Sequence, residues 1–423
     1  MLSQMTWSEY QRKLQTSEPF PSDVIQRVKA ILQDVKQDKD HAVRDFTKRF
    51  DQVDLVQFKV SKEDIEAAYN RIDPLVIEDM KLAYENIRRY HEKQLPSDYY
   101  YDVIPGGQVG QRIVPIDSVG LYVPGGTAAY PSTVLMNAVP AIVAGVPKIV
   151  MISPPNKEGQ ISDIILVAAN IAGITEVYKV GGAQGIAALA YGTETIPKVD
   201  KIVGPGNIYV ALAKREVYGT VGIDMVAGPS EILVVADASA NPVFVASDLL
   251  SQAEHDTLAR PLLVTTSQAL IDQVNAQLRL QLKDLSRRDI AETSLQTEGR
   301  AILVTAKEEA LEAINQIAPE HLELLVEDPD SWLSDIRNAG AVFVGPYSPE
   351  PLGDYLAGPN HTLPTSGTAR FASALNTTDF IKRMSVIRFD RTSLSAFAPS
   401  IERFATTEGL TAHAKAISRR MTR

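Results

Sequence analysis

The chain has 423 residues, 45% hydrophobic and 22% charged, which is the composition of a globular protein long enough for roughly three domains. Its 52 acidic and 42 basic residues give a net charge of −10, which argues against nucleic acid or an anionic membrane surface as the main partner. The absence of cysteine excludes disulfides, thiolate metal ligands and catalytic thiols.

The sequence also favours a cytoplasmic protein. Its first residues lack the basic and then apolar pattern of a secretion signal, and no apolar stretch reaches the ~18 residues that span a bilayer. The lack of cysteine fits a reducing compartment. We therefore expect a cytoplasmic location and no membrane partner.

Residues 1–110 form the first region, which the sequence predicts to be helical. A polar cap at Ser22 opens a helical spacing of apolar residues, and residues 62–92 have the same charged, periodic texture. His41 and His91 lie among charged residues here, and we expect both to be surface histidines.

Residues 111–230 form a first predicted α/β unit, in which short aliphatic segments alternate with helical patterns. The predicted strands are 118–124, 148–153, 177–182 and 201–206. Near-continuous aliphatic strands that alternate with helices indicate parallel strands covered on both faces.

Residues 231–376 form a second predicted α/β unit of the same kind, and residues 377–423 a helical C-terminal tail. The predicted strands are 231–237, 261–265, 301–305, 321–326 and 341–345. The stretch 346–376 is rich in Pro, Gly, Thr and Ser and predicts a long functional loop. The fold class is therefore α/β, with two Rossmann-like doubly wound parallel sheets and helical segments at both ends.

Glycines end three predicted strands of the first unit, at 125–126, 181–182 and 204–206. Ligands bind outside the carboxyl ends of strands in open α/β sheets, and glycine lets backbone N–H groups approach a phosphate there. The alternative is that each glycine only turns the chain. Because the G-x-G-x-x-G fingerprint is missing, these glycines do not by themselves indicate NAD.

Four histidines stand in settings that could carry chemistry. Gln252 and His255 share one face of a helix end and could both ligate a metal, or could form an ordinary helix terminus. Glu320 and His321 lie where a helix passes into a strand, and could divide proton transfer or be a solvated pair.

The other two histidines lie in the loop and in the tail. Asp354 and His361 stand among Gly and Pro, as ligand-binding residues or as ordinary turn residues. Glu408 and His413 are the reactive types of the tail, and solvated side chains on a helix are the alternative there. Gln, two His and an Asp together supply a nitrogen and oxygen set that suits zinc with an open position.

Ordered sequence blocks make the chain resemble the histidinol dehydrogenase family from about residue 20 to the C-terminus. The blocks are Gly120-Leu-Tyr-Val-Pro-Gly-Gly126, Val180-Gly-Gly-Ala-Gln184, Gly204-Pro-Gly-Asn207, Ala227-Gly-Pro-Ser-Glu231, Gln252-Ala-Glu-His255, Pro319-Glu-His-Leu322, Gly353-Asp-Tyr355 and Gly358-Pro-Asn-His361. The resemblance implies a zinc- and NAD-dependent enzyme that oxidises L-histidinol through L-histidinaldehyde to L-histidine, with two NAD consumed.

The resemblance also implies residue roles. The implied zinc ligands are Gln252, His255, Asp354 and His413, with one zinc ion per subunit. The implied acid–base residues are Glu320, which would activate water, and His321, which would be the general base of both oxidations. The implied substrate contacts are Ser230, Gln252, His255, His321, Asp354, His361, Glu408 and His413. The implied dinucleotide contacts are Tyr122, Gln184 and Asn207. The family is homodimeric, so Glu408 and His413 would reach the active site of the partner subunit.

Two other functions remain open at this point. One is a related zinc and NAD dehydrogenase that acts on a different polar alcohol. The other is a two-lobed α/β binding protein, against which the Glu320–His321 pair and the absence of a secretion signal both count.

Overall fold

The structure is a computed structural model that describes residues 1–14, 21–125 and 129–422. Two parallel sheets and one antiparallel sheet form its framework. Within the described part of the chain, no helix combines the length and the apolar character needed to cross a bilayer. Gly126, which belongs to the first glycine pair, lies outside the described residues.

The N-terminal region is mostly helical, as the sequence predicts. Its elements are β1 (Ser3–Thr6), α1 (Trp7–Leu14), α2 (Ser22–Phe50), α3 (Lys62–Tyr69), α4 (Pro74–Glu92), β2 (Tyr99–Ile104) and β3 (Gly107–Pro115). The Ser61 hydroxyl accepts a hydrogen bond from Asp64 N–H and caps α3, and the Asp73 carboxylate caps α4.

The first α/β unit follows. Its elements are β4 (Ser118–Tyr122), α5 (Pro131–Ala144), β5 (Lys148–Ser153), α6 (Asp163–Ile171), β6 (Glu176–Lys179), α7 (Gly182–Tyr191), β7 (Lys201–Val203), α8 (Ile208–Val217) and β8 (Gly222–Ile223). All strand pairs are parallel, in the order β6-β5-β4-β7-β8. This is the Rossmann order 3-2-1-4-5, and every residue of β4 is buried.

The second unit repeats this order. Its elements are β9 (Glu231–Ala236), α9 (Pro242–Ala253), β10 (Arg260–Thr265), α10 (Gln268–Gln281), α11 (Arg288–Thr297), β11 (Arg300–Leu303), α12 (Lys307–Ile317), β12 (His321–Leu325) and β13 (Ala341–Val344). The parallel order is β1-β11-β10-β9-β12-β13. Buried side chains form separate cores on the two faces of each sheet, so both units are doubly wound, as predicted.

The last elements are α13 (Glu350–Tyr355), β14 (Ile381–Phe389), α14 (Arg391–Thr407) and α15 (Thr411–Met421). β14 pairs antiparallel with β3, which pairs antiparallel with β2. The two C-terminal helices confirm the prediction of a helical end to the tail.

Strands lie in both terminal regions that the sequence predicts to be helical. β1 joins the second sheet beside β11, but its sequence Ser-Gln-Met-Thr is too short and polar to carry a period-2 signal. β2 begins with three tyrosines and is followed by Gly106-Gly107, a pattern that indicates a hairpin. The charged, helix-like composition of the region obscured this pattern. α13 also occupies part of the predicted loop 346–376, and residues 329–335 form a 3₁₀ helix. The exact limits of the four regions stay a prediction.

The two N-terminal histidines have opposite environments. His41 is exposed on α2, as predicted. His91 is completely buried, so its prediction as a surface residue is wrong. Its Nδ1 lies 2.7 Å from Gln94 Oε1, and its Nε2 lies 3.4 Å from the amide nitrogen of Asn360. The charged neighbours of His91 in sequence lie on the other faces of α4. Local composition therefore did not indicate that His91 is buried.

Candidate active site

The site begins with Glu320 and His321, which the backbone of Glu231 holds in place. The N–H of Glu231, the first residue of β9, donates to Glu320 Oε2 at 2.8 Å. The carbonyl of the same residue lies 2.9 Å from His321 Nδ1. Glu320 and His321 are only 7% and 4% exposed, so the interpretation of a solvated pair is wrong. One residue of a central strand thus fixes both side chains.

The hydrogen bond at Nδ1 determines the free nitrogen of His321. Because a carbonyl only accepts, Nδ1 carries a proton, and Nε2 of the neutral ring is left with a lone pair. Nε2 is buried without a hydrogen-bond partner and lies 3.9 Å from Asp354 Oδ1. Burial alone would lower the pKa of His321, but the nearby carboxyl groups of Glu320, Glu350 and Asp354 together raise it. The nitrogen that faces the site is therefore basic.

Burial changes the proton affinity of the carboxyl groups as well. It raises the pKa of Glu320 to about 8, against the lowering effect of His321. It also raises the pKa of Asp354. The pKa of His361 falls to about 4, first through burial and then through repulsion from His321. These four residues form a compact group whose proton affinities differ, as proton transfer requires.

A second cluster lies between the end of α9 and α13. His255, Glu350 and Asp354 each offer a ligand atom, and the three atoms lie within 4.8 Å of one another. Gln252 is 1% exposed, and its Oε1 is buried without a hydrogen-bond donor. An unsatisfied buried carbonyl costs free energy unless a cation or donor meets it. His255, Glu350 and Asp354 are therefore the residues whose atoms lie close enough together to hold a divalent metal, and Gln252 adds a buried, unpartnered oxygen at the same helix end as His255.

Ser230 and His361, which are further sequence-predicted substrate contacts, line cavities next to the Glu320–His321 pair. Ser230, Glu320 and His361 line a cavity of about 120 Å³ together with Gly204-Pro205-Gly206. His361 also lines a cavity of about 850 Å³ that reaches His321 and Asp354. His361 Nδ1 lies 3.9 Å from Asp354 Oδ1, and its Nε2 lies 3.4 Å from the Thr133 hydroxyl. A substrate in the smaller cavity would contact both units, whereas the larger cavity is lined mainly by the second unit, with Tyr90 and Gln94 from the N-terminal region.

Turn chemistry, the alternative for the loop before His361, is present at a neighbouring residue. The Asn360 side chain accepts from Thr362 N–H at 2.9 Å and donates to the Met136 carbonyl at 2.6 Å. Asp354 instead belongs to α13 and faces the histidines. Asn360 thus shapes the loop, and Asp354 belongs to the site.

The predicted dinucleotide contacts lie at the carboxyl edge of the first sheet. The Tyr122 hydroxyl accepts from Gly182 N–H at 3.3 Å, where α7 begins. Gln184 is 1% exposed with an unpartnered Oε1. Asn207 is exposed and caps α8 through its side-chain oxygen. Two helix N-termini and an unsatisfied amide at one sheet edge fit a phosphate-bearing cofactor.

A buried ion pair shapes the glycine loop at this edge. Lys214 and Asp224 pair at 2% and 1% side-chain exposure. Lys214 Nζ donates to the Gly204 carbonyl at 2.8 Å, and the Gly204 N–H donates to Asp224 Oδ2 at 2.8 Å. Gly204 has φ +117°, and a Cβ there would lie 2.1 Å from the Tyr122 carbonyl oxygen. Only glycine fits this close approach.

Two predicted site residues lie apart from the others. Glu408 and His413 are exposed on the C-terminal helices and make no hydrogen bond or ion pair with the other predicted site residues in the described part of the chain. Sequence analysis also missed Glu231, Glu323 and Glu350, which are buried acids beside the site. Isolated acids in the apolar strands 231–237 and 321–326 were the available signal, because a buried carboxyl needs a partner.

Comparison with known proteins gives one consistent family. A family model described as histidinol dehydrogenase matches residues 14–421. The histidinol dehydrogenase of Clostridium acetobutylicum is 54% identical over 396 residues, which are 94% of this chain and 92% of that protein. The Bacillus subtilis histidinol dehydrogenase is 54% identical over 393 residues, which are 93% of this chain and 92% of that protein.

Structural comparison indicates the same family. The crystal structure of histidinol dehydrogenase from Elizabethkingia anophelis matches with a TM-score of 0.94 at 39% sequence identity. The match covers 99% of this chain and 98% of that chain.

Proposed function

The chain belongs to the histidinol dehydrogenase family, and we propose that His321 and Glu320 move the protons of its two-step oxidation. It is an NAD-linked oxidoreductase of histidine biosynthesis that converts L-histidinol to L-histidine through L-histidinaldehyde. The observation that carries the assignment of roles is the orientation of His321, whose Nδ1 is fixed by a carbonyl while Nε2 faces Asp354 without a partner.

His321 is the general base of both oxidations. Its Nε2 accepts the hydroxyl proton of the alcohol as the carbon loses hydride and the carbonyl forms. After this proton is released, the same nitrogen accepts a proton from the hydrated aldehyde in the second oxidation. The fixed Nδ1–H···O=C bond keeps the tautomer and the ring orientation through both steps.

Glu320 serves the hydration between the two oxidations. Its carboxylate takes a proton from water as the water oxygen bonds to the aldehyde carbon, and returns that proton to the aldehyde oxygen as the carbonyl π bond breaks, which gives the hydrate. Burial raises the pKa of Glu320 to about 8, so its ionised fraction, which grows as the pH rises, is a stronger base than a solvated carboxylate. The Glu231 N–H holds Oε2, which leaves Oε1 for water. One glutamate thus acts only where water enters.

Gln252, His255 and Asp354 would hold a zinc ion, with the partner's His413 as the fourth ligand. Zinc bound there would fix the amine and imidazole nitrogens of histidinol, and NAD bound at the first sheet would take the hydride. Tyr122, Gln184 and Asn207 are the proposed dinucleotide contacts. Ser230, His361 and the partner's Glu408 are the further substrate contacts. The sites would lie between the two units of each subunit.

The exposed surfaces of the antiparallel sheet (β2, β3 and β14) and of the tail support a homodimer as part of the proposal. Tyr99, Tyr101 and Ile387 of this sheet are 53%, 59% and 76% exposed. α15 has no buried residue, although its apolar residues need cover. Glu408 and His413 lie at the start of this uncovered segment, where a partner's site could receive them. Loss of the dimer would therefore remove zinc affinity as well.

The experiment that tests the substrate is NAD reduction by the zinc-loaded protein with L-histidinol and with other amino alcohols. We expect kcat/KM for L-histidinol to exceed that for an analogue without imidazole by at least about tenfold. The analogue lacks the imidazole nitrogen that the proposed zinc site would bind to orient the substrate. Equal values would favour the alternative function, a related dehydrogenase of another polar alcohol. No reduction of NAD with any alcohol would indicate a binding protein.

A cytoplasmic location is part of the proposal. The chain has no cysteine, which fits a reducing compartment, and its cofactor NAD is available there. Fractionation of cells, with detection of the protein in each fraction, would test the location.

A further inference from the structure

Three buried acids lie on the elements that carry the predicted metal ligands and His321, and one of them, Glu350, is also a member of the His255–Glu350–Asp354 cluster. Asp248, Glu323 and Glu350 are 8%, 1% and 1% exposed. Each acid lies on the same helix or strand as a site residue, at the spacing that brings two side chains to the same face. Asp248 is one helical turn before Gln252, Glu350 is one turn before Asp354, and Glu323 is two strand positions after His321. Three elements therefore each carry one buried acid close to one functional side chain.

Hydrogen bonds connect these acids across the elements. Glu323 Oε1 accepts from the backbone N–H of Glu350 at 2.7 Å, and Glu350 is the first residue of α13. The Ser251 hydroxyl, next to Gln252 on α9, lies 2.8 Å from Glu350 Oε2 and 2.8 Å from the Asp248 carbonyl oxygen, so both acceptors share its single proton. β12 and α9 thus both bind the first residue of the helix that carries Asp354.

The second oxygen of Glu323 supplies the remaining connection. Glu323 Oε2 is buried, and no donor lies within reach of it in the described part of the chain. The Glu323 carboxyl makes a side-chain hydrogen bond with Asp248, in which the protonated Glu323 donates and Asp248 accepts. Burial raises the pKa of Glu323 to about 9 and that of Asp248 to about 6. The pair is therefore a carboxylic acid bound to a carboxylate.

We propose that Asp248, Ser251 and Glu323 are positioning residues that hold α13 against α9 and β12, so that the Gln252, His255 and Asp354 half-site is preformed within one subunit. This inference rests on the proposed zinc site. None of the three residues is a ligand or touches the reacting atoms. Partners of this kind, which orient metal ligands, typically change metal affinity by about 10–100-fold.

The energetics favour a role in function over a role in stability. A buried carboxyl pair is expensive to desolvate, and apolar residues of similar volume often leave a protein as stable or more so. A network that served only folding would therefore gain nothing from the acids. Positioning α13 needs an acceptor at Glu323 Oε1 and a donor at Oε2, which leucine lacks and glutamine supplies.

The test compares Glu323→Leu with Glu323→Gln in the full-length protein. Zinc affinity is measured by competition with a chromophoric chelator, and zinc per subunit by elemental analysis. The thermal midpoint of the metal-free protein is measured in parallel. We expect Glu323→Leu to bind zinc about 10–100-fold more weakly with an unchanged or higher midpoint. Glu323→Gln keeps both hydrogen bonds, and we expect it to stay within about threefold of the wild type.

Two outcomes would overturn the inference. One is wild-type zinc affinity in Glu323→Leu, and the other is a loss in Glu323→Gln as large as in Glu323→Leu. If Glu323→Leu does not fold, Ser251→Ala is measured, for which we expect about fivefold weaker zinc binding from the loss of one hydrogen bond, and unchanged affinity overturns the inference. A wild type that binds no zinc would instead refute the proposed zinc site, so the two failures are distinguishable.

Discussion

The two α/β units have the same strand order but use opposite edges of their sheets. In the first unit the candidate contacts follow strand ends, at the carboxyl edge where ligands of open α/β sheets usually bind. In the second unit His321 is the first residue of β12, and Ser230 immediately precedes β9, so the site lies at the amino edge. The cavity lined by Gly204, Ser230 and Glu320 joins these two edges.

The two edges also contribute different chemistry. The first unit supplies backbone N–H groups, helix N-termini and tight glycine turns, and its buried Lys214–Asp224 pair holds backbone groups of the loop. The second unit supplies side chains whose pKa values burial has shifted, chiefly those of Glu320 and His361. Under the proposed roles, one architecture would serve shape recognition in one unit and proton transfer in the other, so function follows from the site and not from the fold.

The largest effect should follow from His321→Asn in the second unit. Loss of the general base should lower the rates of both alcohol and aldehyde oxidation by about 10²–10⁴-fold. Zinc content should not change, because His321 is bonded to a backbone carbonyl and is not a proposed ligand. Steady-state rates with each substrate and elemental analysis check this. Loss of zinc in the variant would mean that His321 is a ligand.

Glu320→Gln should separate the two half-reactions. The amide cannot take a proton from water, so oxidation of L-histidinaldehyde should fall by about 10²-fold or more, while alcohol oxidation changes far less. The Glu231 N–H can still donate to the amide oxygen, so the local structure should persist. Single-turnover measurement of each oxidation decides the point. Equal losses in both steps would remove the hydration role from Glu320.

Gly204→Ala tests whether the first unit requires the close backbone approach of Gly204 to Tyr122. The new Cβ would lie 2.1 Å from the Tyr122 carbonyl oxygen, so the loop must move and should cost about 3 kcal/mol of stability and raise the KM for NAD. Gly145→Ala is the matched control, since Gly145 also has a positive φ of +83° but nothing within 4 Å of the added Cβ. Thermal midpoints and NAD titration check this. Equal effects in the two variants would contradict the role of close approach.

The smallest effect concerns His91, which links α4 of the N-terminal region to the loop that carries His361. It lies on α4 beside the first unit and faces Asn360, the residue before His361. Burial lowers the pKa of His91 below its unfolded value of about 6.5, so its contribution to stability is complete above that pH and is lost as the pH falls.

Replacement should therefore flatten the pH dependence of stability. Between about pH 7.5 and about pH 5.5, His91→Gln should lose up to about 1 kcal/mol less stability than the wild type. Thermal unfolding at both pH values measures this. His41→Gln replaces an exposed histidine and should follow the wild type. A wild-type pH dependence in His91→Gln would contradict the prediction.

Sequence patterns predicted the two units well because their strands are aliphatic and buried on both faces. Every residue of β9 is buried, and the pattern 231–237 places that strand within one residue of its observed end. β14 escaped prediction because most of its residues are exposed in this chain, so no buried face imposes alternation on its sequence.

The site residues that lie in recognisable sequence blocks could be predicted from the sequence. His255, Glu320, His321 and Asp354 stand in short recognisable blocks, and the structure brings them together. Glu323 and Glu350 could not be assigned from their positions in sequence, because their partners come from three separate elements. Glu408 and His413 are exposed in the single chain, and their assignment to a site depends on the proposed partner subunit.

The most direct test of the account is the number of NADH molecules formed per L-histidinol consumed, before and after treatment with a chelator. We predict two NADH per L-histidinol, loss of turnover with the chelator and recovery of turnover with zinc. One NADH with release of free L-histidinaldehyde would contradict the central claim that Glu320 and His321 carry a single bound substrate through both oxidations.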